Sequence, residues 1–372
     1  MLENLSSSRI HRLAAARRVR QATLLALLGS AGAVSQAQTV APNVAVPFYA
    51  PGHFMQGAYR DWYAPQAAGF ATQSGALPGA VAALCDAAPA DAPGRLAQAR
   101  AQWQASTVAW ERLSSVQIGP LVQRRSARQI DFTPTRPELI TRAIQSAPAD
   151  AAAMERIGTP AKGLPALEWL LWSRPVAPQT PACRYAVQVA ADIAREAGVL
   201  SSEFASLAAR ELGEEEETSV PAMGELVNQW VGGLERLRWT HMEKPRLSDA
   251  SGGHNATPYP RSASGQSAAS WAAQWQGLRT LATASASAQA PLPGQGLVPL
   301  ETYLRGRGLN AVANKLAHSV AQADKALHQL SPGNKAGLGT ATRALAALKK
   351  LAETDVAPAL EVNIGFSDAD GD

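Results

Sequence analysis

At 372 residues the chain is long enough for two ordinary domains with ample core to bury, and at 46% apolar but only 6% aromatic residues, rich in Ala, Leu, Gln, Arg and Glu, it favours helix over sheet. The formal net charge of +4 belongs to the leader: residues 1–37 take away five of the 34 basic residues and one of the 30 acidic ones, which leaves the two signs balanced. A balanced chain lacks the basic stripe needed to neutralise phosphates, so nucleic-acid binding is excluded.

Residues 1–37 have the pattern of an export signal. Arg9, Arg12, Arg17, Arg18 and Arg20 form a positive n-region, Ala22 to Val34 a short apolar run, and Ser35-Gln36-Ala37 a small-x-small cleavage site near Ala37. The apolar run is too short to span a bilayer, so no membrane anchor is retained and the mature protein is expected in the periplasm. Cys85 and Cys183 are the two cysteines. An even pair in an exported chain reads as a disulfide, here tying the first helix to the one after the central motif.

After a Pro-rich extended start, Tyr59 to Cys85 carries a helical pattern broken at Gly75 and Pro78-Gly79. Asp91-Ala92-Pro93 opens a stronger helix to about Leu113, with Leu96, Trp103, Val108, Trp110 and Leu113 supplying much of its buried face. Residues 116–158 then form an inserted loop. Pro134 and Pro137 flank Thr135-Arg136 and forbid helix there, so the chain is expected to run extended, exposing Asp131 and Arg136, with Arg128 nearby.

The most apolar run after the leader follows, Gly163-Leu164-Pro165-Ala166-Leu167-Glu168-Trp169-Leu170-Leu171-Trp172. Proline is tolerated only in a first turn, so a helix starts near Leu164 with Leu164, Leu167 and Leu171 on one stripe. Next come a helix from about Arg184 to Leu212, a boundary at Gly213 and the solvated run Glu214 to Glu217. The second half holds a helix from about Val220 to Met242, a polar loop from Pro245 to Ser264, a helix around Trp271 and Trp275, and further helices at about 309–330 and 341–351.

The motif recurs as Gly296-Leu297-Val298-Pro299-Leu300-Glu301-Thr302-Tyr303-Leu304, and Ala101-Gln102-Trp103-Gln104 recurs as Ala273-Gln274-Trp275-Gln276. Two landmarks in the same order read as an internal duplication. The expected fold is therefore all-α, with two tandem four-helix-bundle-like domains: residues 38–213, decorated by the 116–158 loop, and residues 214–372. Glu168 and Glu301 fall near a helix start, where the dipole favours negative charge, and this plain structural role competes with a ligand role.

Nucleophile elbows, phosphate loops, dinucleotide fingerprints and H-E-x-x-H are missing, and His53, His241, His254, His318 and His328 show no ligand spacing. The stretches Trp110 to Pro120, Arg128 to Arg136, Gly163 to Trp172, Cys183-Arg184-Tyr185 and Gly365 to Asp372 together resemble the imelysin, or insulin-cleaving metalloproteinase-like, family. That resemblance implies an exported bacterial protein of two helical bundles, linked to iron or haem acquisition and to the uptake proteins of the cell envelope. It also implies a G-x-H-x-x-E motif whose histidine and glutamate hold a metal, a divalent ion or iron. Gly163 and Glu168 match that motif, which makes Glu168 the candidate metal ligand, but Pro165 stands where the histidine belongs and offers no donor.

Two functions compete on these grounds. The first is a non-enzymatic periplasmic protein that binds an ion, chelate or partner at the seam between bundles, through a patch of Gly163, Pro165, Glu168, Arg128, Asp131 and Arg136. The alternative is a metal-dependent peptidase, and the missing histidine favours the first, because a catalytic zinc usually needs three protein ligands.

Overall fold

A computed structural model describes residues 45–213, 215–250, 257–285 and 288–365, and every regular element among them is helical. The N-terminal segment read as an export signal, Glu214, His254 and most of the Gly365 to Asp372 stretch lie outside the described residues. The first half contains α1 (Pro51–Ala58), which passes through a π turn (Tyr59–Tyr63) into α2 (Ala64–Cys85), and then α3 (Ala92–Leu113). Four short helices follow: α4 (Pro120–Gln123), α5 (Ser126–Ile130), α6 (Pro137–Ser146) and α7 (Ala151–Glu155). The motif helix α8 (Gly163–Glu168) runs into a second π segment (Trp169–Ser173), and α9 (Pro181–Ala208) closes the half.

The second half opens with α10 (Glu216–Glu235), a π segment (Arg236–Glu243) and α11 (Lys244–Ala250) in one continuous rod. Then come α12 (Ser267–Ala282), α13 (Leu300–Gly306), α14 (Asn310–Leu327), α15 (Lys335–Leu351), a last π turn (Ala352–Val356) and α16 (Ala357–Ala359). In the first half α2 packs against α3 and α9; in the second, α14 packs against α15 and α12, and α15 against the Arg236–Glu243 segment. Apolar faces of both groups join in one core. The two motif helices have matching neighbours, since α8 touches α3 and α9 while α13 touches α12 and α14.

Two expectations need correction. The chain does not break at Gly75 and Pro78-Gly79: α2 continues through Pro78, because Leu77, Val81 and Leu84 bury fully and this burial outweighs the lost backbone hydrogen bond. Nor is the 116–158 insertion mainly extended. It folds into α4 to α7 joined by short turns, and the longest stretch without helix is residues 131–136, next to the two prolines. Packing supplies the reason, as Leu121, Ile130, Ile140 and Met154 are each at most 1% exposed.

The disulfide Cys85–Cys183 is formed, with Cα atoms 5.6 Å apart, and joins the end of α2 to the first turn of α9. No described helix is long and apolar enough to cross a membrane.

Candidate functional site at the seam of the two halves

Helix α3 builds one wall of the seam. Trp103, Thr107 and Glu111 recur every four residues and so share one stripe, and all three are buried. The same helix holds both ends of the motif: the Trp103 indole N–H donates to the Leu164 carbonyl (3.0 Å), and the Arg100 guanidinium donates to the Leu171 carbonyl (2.9 and 2.7 Å). Helix α8 is buried from Gly163 to Glu168, so Glu168, only 7% exposed, finds its partners largely inside.

Gly163 sets where α8 begins. Its φ is +78°, and a Cβ there would lie 2.4 Å from the Ile130 carbonyl oxygen, so only glycine lets the helix start rest on the end of α5. Asp131, the residue after α5, is thereby brought close to the motif. The seam itself is narrow for the same kind of reason. A Cβ on Gly233 would stand 2.2 Å from the Ser115 carbonyl oxygen, and one on Gly277 would stand 2.2 Å from Ser115 Oγ. Arg236 then donates to the carbonyls of Ser114 (2.9 Å) and Ser115 (3.0 Å), capping the end of α3 from the second half.

Into this seam the turn before α12 inserts Arg261, 3% exposed. Its Nε donates to Glu111 Oε1 (3.1 Å), its Nη2 lies 2.7 Å from Asp131 Oδ1, and its guanidinium stands 5.8 Å from the Trp103 ring centre. The Trp110 indole donates to Asp131 Oδ2 (3.1 Å). Glu168 Oε1 accepts from the Ser264 backbone N–H (2.9 Å) and hydroxyl (2.6 Å). The Gln274 amide donates to Glu111 Oε2 (2.8 Å) and lies 2.7 Å from His241 Nδ1. With both amide hydrogens committed as donors, Nδ1 is the acceptor and the imidazole proton sits on Nε2.

Burial dominates the electrostatics. It pushes the Glu111 carboxyl up to about 7, against the pull of Arg261 and with a further push from Asp131. It drives His241 down to about 3, so the ring is neutral at any ordinary pH. Burial also opposes the charge on Arg261, but Asp131, Glu111 and Glu168 outweigh it and raise the guanidinium further. One permanent cation thus stands among three carboxylates, and the uncompensated negative charge is partly relieved by a proton on Glu111.

Of the residues singled out from sequence, Glu168 and Asp131 enter this network, Gly163 shapes it, and Pro165 is buried in α8 with no donor to contribute. Arg128 and Arg136 stay exposed on the surface and do not join it. Asp131 is not exposed as expected: its side chain is 17% accessible, and its cation is Arg261 from the second half. Nearby Arg124 pairs instead with Glu196 and Glu203 of α9. Sequence reasoning missed Glu111, His241, Arg261, Ser264 and Gln274. The available signal was a charged or amide residue on an apolar stripe, Glu111 at eight residues from Trp103 and Gln274 at three from Trp271.

The residues present do not fit the metal that the G-x-H-x-x-E pattern implies. Position 165 supplies no ligand, Glu168 Oε1 already takes two hydrogen bonds, and Arg261 holds the cationic position. No group of three His, Cys, Asp or Glu among the described residues is placed to hold an ion.

An all-helical protein with two helix groups and a buried carboxylate–arginine seam is the class that fold and site define. The imelysin family model matches residues 63–357, and the chain belongs to this family. Its fold is similar to that of an imelysin-like protein from Psychrobacter arcticum 273-4, with a TM-score of 0.68 at 19% identity, covering 87% of this chain and 100% of that one. It is also similar to a proposed iron-regulated protein A precursor from Parabacteroides distasonis ATCC 8503, with a TM-score of 0.65 at 13% identity, covering 84% and 94%. No curated protein matches the chain.

Proposed function

We propose that this chain is an exported, non-catalytic member of the imelysin family that serves iron or haem acquisition in the periplasm, binding a ligand or envelope partner across the seam. The observation that carries this reading is Arg261: a guanidinium stands where a catalytic or transported ion would need the carboxylates free. The iron link rests on the name of the Parabacteroides relative. The seam is closed by one turn of the second half, which delivers both Arg261 and Ser264, so a ligand would enter by displacing that turn and offering its own cationic or hydrogen-bonding groups to Glu111, Asp131 and Glu168.

The test is growth under iron limitation. A strain lacking the protein should grow poorly with iron chelated, recover with the wild-type gene, and recover less with Arg261→Met expressed to the same level. Purified protein should leave denatured casein uncut with or without zinc. Normal growth of the deletion strain, or zinc-dependent cleavage, would overturn the proposal.

A further inference from the structure

The two halves also meet outside the Arg261 network. A cavity of about 470 Å³ opens between the Tyr59–Tyr63 π turn, the start of α4, the end of α9 and the middle of α10. Three groups on its wall lack partners. Glu225, on α10, is half-buried, and its one hydrogen bond among the described residues comes from the Gly119 backbone N–H (3.2 Å), presented by a glycine at φ +50°. No cation pairs with it, and burial raises its carboxyl further than that N–H lowers it. Arg210, just past the end of α9, is exposed and makes no ion pair among the described residues. Tyr59 is only 8% exposed, yet its hydroxyl has no hydrogen bond among the described residues. Burial pushes that phenol up to about 12, Glu225 adds to the rise and Arg210 opposes it, so both charges stand near the hydroxyl.

The charges decide what such a cavity can take. Its wall carries two acids, Glu203 and Glu225, and one base, Arg210. Glu203 is already met by Arg124 at 3.4 Å. What remains is one carboxylate on α10 and one guanidinium beyond α9, opposite in sign and not paired with each other. The site is therefore neutral as a whole, and a ligand of net charge would satisfy one group and burden the other. A molecule carrying both an ammonium and a carboxylate satisfies both, because a half-buried charge is costly until a counter-charge reaches it and a guanidinium fits a carboxylate with two parallel bonds.

We propose that this cavity binds a free α-amino acid with an aliphatic side chain, Glu225 taking the ammonium and Arg210 the carboxylate, with the Tyr59 hydroxyl between them. Pro120 and Leu207 on the same wall offer apolar surface to the side chain. A phenol can donate to the carboxylate or accept from the ammonium, so it serves the ligand in either orientation. The inference rests on these residues alone and is independent of the iron reading of the Arg261 seam.

Calorimetry on the full chain with L-leucine, with isocaproate (leucine without its amine) and with isoamylamine (leucine without its carboxylate) tests this directly. Leucine should bind at one site with Kd below about 1 mM, and each truncated analogue about tenfold or more weaker. Glu225→Gln should weaken leucine by about tenfold or more with the circular dichroism spectrum unchanged. Should Glu225→Gln fail to fold, Arg210→Gln carries the same test, since that side chain is exposed and holds no ion pair among the described residues. Absence of leucine binding tighter than about 1 mM, or unchanged affinity in the variants, would overturn the proposal. Isoamylamine or isocaproate binding as tightly as leucine would overturn it too, marking a plain amine site or a plain carboxylate site.

Discussion

Glu111 should make the stability of this protein fall as pH rises toward neutrality, and Glu111→Gln should remove that slope. In the unfolded chain the carboxyl ionises at its ordinary value of 4.5, whereas in the fold burial delays ionisation to about 7. A folded value above the unfolded one means the fold prefers the protonated form. The contribution is then fully present below 4.5 and is lost as pH climbs through 7. At about 1.4 kcal/mol per pKa unit, the loss between pH 4.5 and 8 amounts to about 3 kcal/mol. Gln mimics the neutral acid in shape, and its carbonyl can accept from Arg261 Nε while its amide faces Gln274, which must flip to meet it. That flip adds a constant cost but no pH dependence. Urea denaturation followed by circular dichroism from pH 5 to 8.5 on both proteins reads the Glu111 contribution, because groups remote from the seam cancel in the difference. The variant should gain on the wild type by about 3 kcal/mol across that range. A difference that stays flat with pH would refute the assignment of a proton to Glu111 at the seam.

Arg261→Met should cost about 3–5 kcal/mol at pH 8, because it leaves buried carboxylates without their cation, and less at pH 5, where Glu111 carries its proton; chemical denaturation at the two pH values checks this. Gly163→Ala should cost about 3 kcal/mol, since φ is +78° and the new methyl would press on the Ile130 carbonyl, and differential scanning calorimetry should show a matching drop in Tm. Replacing Cys85 and Cys183 together by Ala should cost about 5 kcal/mol on the chain-entropy model, given their separation of 98 residues, and denaturant midpoints of the two proteins measure it.

Much of the fold was legible in the sequence because it is written in local signals. Proline at a helix start located α8 and α13, apolar stripes located α3, α9 and α14, and two cysteines behind the pattern of an export signal located the disulfide. A smaller part of the site was legible too, as Glu168 lies in the motif and Asp131 in an irregular stretch set by prolines. The larger part was not, because the decisive contacts are remote in sequence: Arg261 meets Glu111 across 150 residues, and Gln274 meets it across 163. Arg261 and Ser264 sit in a stretch rich in Gly, Ser and Pro that reads as a solvated loop, and nothing local marks it as the piece that plugs the seam. Composition alone could not tell a surface arginine such as Arg136 from a buried one such as Arg261, since only the carboxylates supplied by the other half make burial of that charge tolerable.

The central claim is that an arginine, not a metal, holds this seam, and zinc titration of metal-free protein by isothermal calorimetry tests it most directly. No binding tighter than about 1 μM is expected from the wild type, and none from Pro165→His alone, because Arg261 and Ser264 still occupy the carboxylates. Tight, stoichiometric zinc uptake by the wild type that is abolished in Glu168→Gln would contradict it.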